Sequence, residues 1–455
     1  MSHKIAQVVL VGVLMLLLVA CGTGTTTTIG PNPTQPLVAA DTTTPGAMVI
    51  ANSTAFVDKY GTYRVVGMLV NNSSYVLTSI ELTIEIRDAA GNSLLKENGN
   101  PVLNATFHPM LYTLAPGEGS PFEYSCDTGN GLPASYKVII SNIQSGDVSR
   151  ADLTAENVQL VDKGSGWYYL TGDLVNKGTQ WAHLNNLAGA VLDASNNVLS
   201  ADWTATYATE LAPAEDSSGA DRTPFEINFP NPGTSGTPPW SLYWDANILE
   251  NVTSYAITTT ITNGYVDQYG AQHIVGWVMN HSDQALTSSV VAGLYDQAGT
   301  TLDAGFSNIP IPIKAGGSVP FSVTTFGNVD NNQNQAALVR TYTAGVDPGS
   351  TAPTKYKFIE LPSSDETIQK DGATWTISGS TTNTSDQELS TATVVVSIID
   401  SQNALVATEY TTIFPSGDTI AVGEEDPYSV SISLDPSVDS SGFKINTMVI
   451  GVLNQ

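Results

Sequence analysis

The sequence predicts an all-β chain built as four small antiparallel sandwiches in tandem. Three observations predict it. A Gly-x-x-x-Asn motif recurs as Gly67 to Asn71, Gly172 to Asn176, Gly276 to Asn280 and Gly379 to Asn383, at spacings of 105, 104 and 103 residues. Each motif is followed by an Asp (Asp88, Asp193, Asp296, Asp400) and then by a Pro-aromatic pair (Pro121-Phe122, Pro224-Phe225, Pro320-Phe321, Pro427-Tyr428). Between these marks apolar and polar residues alternate with period two, and no stretch carries a helical stripe. A period this long exceeds the roughly 20–50 residues of a solenoid unit and matches a whole small domain. The expected copies are residues 46–145, 146–250, 251–349 and 350–455, behind a leader (1–20) and a tether (21–45).

The first copy shows the elements in order. Ala47 to Ile50 opens it, as Tyr356 to Leu361 opens the fourth. Tyr63 to Asn71 is a strand that ends in the polar turn Asn72-Ser73-Ser74; its equals are Trp167 to Asn176, His273 to Asn280 and Trp375 to Asn383. A Gly inside a strand points to a bulge or to close approach of a neighbour. Ile80, Leu82, Ile84 and Ile86 alternate with Glu81, Thr83, Glu85 and Arg87, so that strand has one buried face. It stops at Asp88-Ala89-Ala90-Gly91, where the Asp opens a turn and the Gly takes a positive φ. Asp193 to Asn196, Asp296 to Gly299 and Asp400 to Asn403 keep this chemistry, because Asn tolerates the left-handed region next best. Four identical turn acids without partners are not catalytic groups. Closing strands are expected at Tyr136 to Ile140, Trp240 to Trp244, Ala337 to Tyr342 and Phe443 to Val449.

Six or seven short strands with turn signals between them give an immunoglobulin-like sandwich layout. The order of motifs resembles the FxLYD domain, a small immunoglobulin-like domain of prokaryotic surface proteins. The third copy carries the resemblance best, with Gly276-Trp277-Val278-Met279-Asn280, then Leu294-Tyr295-Asp296-Gln297-Ala298-Gly299, then Pro320-Phe321. It departs where the family has Phe and this chain has Ala292; the other copies keep the Asp and lose the Tyr. The resemblance implies a scaffold and no catalytic residues.

Near its start the chain carries Lys4 and an apolar run from Ile5 to Ala20, broken only by Gln7 and Gly12. That run is short for a membrane span and suits a signal peptide. Leu18-Val19-Ala20-Cys21 resembles the lipobox of bacterial lipoproteins. The resemblance implies cleavage before Cys21, its acylation, anchorage to a lipid bilayer and an extracytoplasmic location. An uncleaved anchor helix is the alternative. The Thr/Pro/Gly-rich stretch to Pro45 cannot bury a core and reads as an extended tether.

Lys and Arg total 16 against 43 Asp and Glu, a net charge of −27. That balance argues against nucleic acid and other polyanions. Cys126 is the other cysteine; it continues an alternating strand and reads as a small apolar residue, so no disulfide is expected. His108, His183, His273 and His281 show no metal-ligand spacing, and no cofactor fingerprint occurs. Asp330 to Asn334 imitates a calcium loop, then fails at Gln335 and Thr341. The Asn-x-Ser/Thr sequons, Asn71, Asn280 and Asn383 among them, read as chance. One asymmetry remains: five of seven Trp lie in the second copy, at Trp167, Trp181, Trp203, Trp240 and Trp244. Trp181, Trp203, Tyr207, Trp240 and Trp244 are therefore the candidate ligand aromatics, since exposed rings stack on sugar faces. The competing reading is packing, and Trp167 and Trp375, at nearly matching positions, are read as core. The expected function is a non-enzymatic, lipid-anchored surface spacer or protein-interaction module, a semi-rigid rod on a stalk. A glycan- or substrate-binding lipoprotein is the alternative.

Overall fold

The computed structural model describes residues 48–454 except 59, 128–130, 132, 163–165, 215–219, 235, 251, 326–337 and 416. The leader, Cys21, the tether and Asp330 to Asn334 lie outside the described residues. The chain is all-β, a tandem series of antiparallel sandwiches. Among the described residues helical conformation is 3-10 in type, in the turn Pro348–Ser350 and at Leu338.

Each copy repeats one plan. The first sheet sets a glycine strand between an opening strand and an aromatic strand. Opening strands are Met48–Val57, Leu153–Asp162, Ile257–Val266 and Ser363–Asp371. Glycine strands are Thr62–Asn71, Trp167–Asn176, Gln272–Asn280 and Thr374–Thr382. Aromatic strands are Gly119–Asp127, Arg222–Pro230, Ser318–Thr325 and Glu425–Ser433. The second sheet sets a hairpin strand between a return strand and a closing strand. Hairpin strands are Leu77–Arg87, Trp181–Leu192, Ser289–Tyr295 and Leu389–Ile399. Return strands are Ala105–Phe107, Val198–Thr204, Thr301–Asn308 and Leu405–Ile413. Closing strands are Ser135–Ser145, Trp240–Leu249, Thr341–Val346 and Lys444–Leu453.

The recurring Gly and the recurring aromatic are one device. They are cross-strand partners in every copy: Gly67 with Phe122, Gly172 with Phe225, Gly276 with Phe321, Gly379 with Tyr428. Cross-strand partners share a face, so the ring lies over the Gly. A Cβ at Gly172 would sit 2.8 Å from the Phe225 ring, and one at Gly379 2.6 Å from the Tyr428 hydroxyl. On the other side the opening strand bulges towards the same Gly, with register breaks at Ile50/Asn52, Glu156/Gln159, Ile261/Asn263 and Ser364/Thr367. A Cβ at Gly67 or Gly276 would also overlap a carbonyl there, Asn52 O or Thr260 O.

The motif Asn does more than end a strand. Asn71, Asn176, Asn280 and Asn383 are all buried. Asn280 Nδ2 donates to Gln284 O, Ile313 O and Lys314 O, while its Oδ1 accepts from Ser282 N–H at 2.9 Å. Asn71, Asn176 and Asn383 repeat this bonding, which ties the turn after the glycine strand to the far side of the sandwich. The turn Asp accepts two backbone N–H bonds in each copy, as Asp88 Oδ1 does from Ala90 and Asn92. The turn residue three positions on has positive φ in all four: Gly91, Asn196, Gly299 and Asn403.

Four expectations need correction. The opening strand of the first copy runs to Val57, because its bulge lets pairing continue past Ile50. In the fourth copy Phe358–Leu361 pairs with the closing strand instead, and the chain changes sheets at Pro362 before the true opening strand. The third closing strand is Thr341–Val346, later than Ala337 to Tyr342. Trp167 does not match Trp375. Trp375 stands four residues before its Gly, as does the fully buried Tyr168. Trp167 is one residue earlier, and a shift of one turns a strand side chain to the other face.

Gly276→Ala is expected to cost about 2–4 kcal/mol, as overpacking against Phe321 and a backbone carbonyl. Hydrogen exchange should speed up in the third copy; unchanged protection there would refute the account.

Candidate functional site

The most built surfaces in this chain are the junctions between copies, within the unit Leu37–Gln455. At each junction the second sheet of one copy lies on the first sheet of the copy before it. Ala188, Ala190, Val198 and Ala201 of the second copy belong to the same buried cluster as Val66, Leu69 and Phe122 of the first. Val291 of the third copy joins the core of the second. Tyr265 and Val275 of the third join the core of the fourth, and Val395 and Ile450 of the fourth join the core of the third.

Polar ties fix each register. At the first junction Asn186 Nδ2 donates to Met110 O at 2.9 Å. The linker residue Arg150 bridges Glu118 of the first copy (3.2 Å) and the fully buried Asp245 of the second (2.5 Å). At the second junction Tyr295, the Tyr of the third copy's Leu-Tyr-Asp run, donates its hydroxyl to the buried Asp173 at 2.8 Å. Asn157 and Thr301 donate to the other oxygen of that carboxylate. Burial pushes the Tyr295 hydroxyl well above its usual range, with the Asp173 charge adding to it. At the third junction Thr262 Oγ1 donates to Leu405 O and Asn263 Nδ2 to Val406 O.

The hairpin position just before the turn Asp is thus a junction residue. Leu192 and Ile399 pack into the junction clusters where Tyr295 makes its hydrogen bond. The sequence held a signal for this. Ser289–Tyr295 is buried at every position, and Leu187 to Val191 and Ala392 to Ile398 likewise, so these strands read as continuous apolar or small runs. A strand covered on both faces loses its alternation.

The candidate aromatics do not form one platform. Trp240 and Trp244 turn onto the core of their own copy. Tyr207 packs on that core too and meets Phe306 of the third copy at 5.8 Å between ring centroids. Trp181 lines a cleft at the second junction beside Tyr255, His281 and Pro348. Trp203 alone is openly exposed, at 49%. It lies on the cleft at the first junction, with Tyr112, Glu123 and Asp202. That cleft is about 270 Å³, at or below the roughly 300–1,000 Å³ of ligand pockets. Trp203, Phe306 and Tyr410 hold one register position, opposite Ala188, Val291 and Val395. The exposed Trp203 is therefore the rim of a repeated junction.

Two carboxyls meet at that first junction. Burial pushes Glu123 up to about 7, with Asp202 across the junction adding to the rise and Arg64 opposing it. Burial raises Asp202 as well. Arg64 pairs with Glu123 and with Asp58. Among the described residues no group of three His, Cys, Asp or Glu is placed to hold a metal ion. Cys126 is half-buried, and burial raises its thiol, which leaves it a poor nucleophile.

No family model and no curated protein matches the chain. Among solved structures it is similar to red sea bream transglutaminase, at 10% identity and a TM-score of 0.15, over 43% of this chain and 31% of that one. It is also similar to the C-terminal globular domain of a Pyrococcus abyssi oligosaccharyltransferase, at 8% identity and a TM-score of 0.12, over 46% and 48%. Escherichia coli alpha-2-macroglobulin gives 10% identity and a TM-score of 0.13, over 90% and 44%. The chain spans less than half the length of each, and at these TM-scores the likenesses support no activity.

Tyr295→Phe should destabilise the second junction by about 1–3 kcal/mol, because Asp173 keeps its burial and loses a donor. Thermal unfolding of residues 46–455 reads this, and an unchanged transition would count against it. Folding takes up a proton at Glu123. That contribution is complete below the ordinary value of 4.5 and is lost as pH rises to about 7. The first junction should therefore be tighter at pH 5 than at pH 8, by about 1–3 kcal/mol. Glu123→Gln should flatten the profile; a profile parallel to the parent's would show that another group is responsible.

Proposed function

We propose that this chain is a non-enzymatic surface lipoprotein. Cys21 is acylated and anchors it to a bilayer, and four FxLYD-like sandwiches hold a fixed succession beyond the tether. One observation supports the spacer reading above others: adjacent copies share buried apolar clusters at all three junctions. Domains joined by flexible linkers keep separate cores and move relative to one another. Shared cores resist that motion, which suits a part that sets a distance or presents a surface in one orientation. A partner protein would meet side chains already fixed in place, at little ordering cost.

Anchorage is tested by fractionating cells that express the parent and Cys21→Ala. The parent should pellet with membranes and enter the detergent phase, and the variant should not. Rigidity is tested on residues 46–455 carrying Cys126→Ser, with spin labels at positions 144 and 402. A single narrow distance distribution is expected. A broad one would rule out the spacer and leave the anchor untouched.

A further inference from the structure

We infer that the outer faces of the first and fourth copies are caps, so that chains of this protein do not join end to end through them. The internal junctions are head-to-tail contacts between unlike faces of like domains. Such contacts have no geometric reason to stop, and an uncapped series would extend from chain to chain into filaments. Repeat arrays close themselves with terminal copies whose outer faces stay polar.

The tail face is the outer side of the first sheet, which in copies one to three receives the next copy. In the first copy it presents Val66, Met68 and Val70 from the glycine strand, packed in the shared cluster. The same three positions in the fourth copy are Ser378, Ser380 and Thr382. Thr374 and Thr376 extend the row, and Ser429, Ser431 and Ser433 stand opposite on the aromatic strand. These hydroxyls face one another in rungs, Ser378 with Ser429 at 3.0 Å and Thr376 with Ser431 at 3.1 Å. The neighbouring opening strand, Ser363–Asp371, is exposed along its whole length. Inside this sheet the alternation is strict: Trp375 and Ile377 are buried while Thr374, Thr376 and Ser378 are not.

The head face is the outer side of the second sheet, which in copies two to four docks on the copy before. In the second copy it offers Ala188, Ala190 and Leu192 to the first. The same positions in the first copy are Thr83, Glu85 and Arg87, each half-exposed. Glu85 and Arg87 pair at 3.2 Å, and Lys137 lies across from Glu85. Burying this face under another sheet would strip water from three charges, a cost such exposed pairs do not return. Internal tail faces are either apolar, as Val66, Met68 and Val70 are, or polar with each group matched across the junction, as Thr171 is by Thr301 O and Asp173 by Tyr295. The charged face and the hydroxyl face of the first and fourth copies are polar without such a match.

The test uses the full chain from residue 46. One variant opens the tail with Ser378→Val, Ser380→Met and Thr382→Val, the residues of the first copy. Another opens the head with Thr83→Ala, Glu85→Ala and Arg87→Leu, the residues of the second. Sedimentation velocity should show the parent and each variant alone as monomers. An equal mixture of the two variants should form a one-to-one complex. A parent that associates end to end as concentration rises would overturn the inference, and that measurement needs no variant. Folded variants that remain monomeric when mixed would overturn it too.

Discussion

Every sandwich in this chain has two sheets, and a sheet has two faces. The inner faces meet in the core of the copy. The constraint that organises the rest is what happens to the outer faces. In the middle of the series each outer face is roofed by a neighbour, so residues such as Val66, Ala190 and Val291 are as buried as core residues while belonging to no single domain. The apolar area removed from water at the junctions therefore stabilises the arrangement of the copies and the copies themselves at once. Stability and geometry cannot be separated here, which is unusual for domains that each have the length to fold alone.

The recurring residues make this possible by freeing the sheet surfaces from local duties. The Gly-aromatic pair fills the inside of the first sheet and bulges its opening strand. The buried Asn closes the turn with its own side chain, so the turn needs no help from outside. The Asp-led turn is likewise self-sufficient, since its carboxylate takes the backbone donors of the tight loop. What remains on the outer faces is free to differ from copy to copy. That is why one junction packs small apolar residues and is tied by Asn186 and Arg150, the next turns on Tyr295 and Asp173, and the third uses side-chain amide and hydroxyl donors to strand carbonyls.

The same division explains what could be read from the chain. Motifs serving one copy repeat four times, so their role in turns and strands was legible: period, alternation, positive-φ position and strand glycine all have a local cause. Junction residues do not repeat as types. Leu192 and Ile399 are aliphatic where Tyr295 is a hydrogen-bonding phenol, so no motif marks the shared position. Their trace was the loss of alternation in three hairpin strands out of four, which the first copy, with its clean Ile and Glu rhythm, concealed when taken as the type. Trp167 was misplaced for a simpler reason. It and Tyr168 are adjacent aromatics, and only the register against Gly172 says which of the two faces inward.

The Trp-rich second copy also changes meaning once its neighbours are known. It is one of two copies roofed on both sides, and it brings large side chains to its neighbours beside the small Ala188, Ala190 and Ala201. Tyr243 reaches towards the first copy, Tyr207 towards the third, and Trp181 lines the cleft at the second junction. Aromatic rings bring much contact area for little lost rotamer freedom, which suits a domain that must present ordered surfaces on two sides. Ligand recognition, where a tandem protein has it, is better sought in a ring such as Trp203, whose exposure survives assembly.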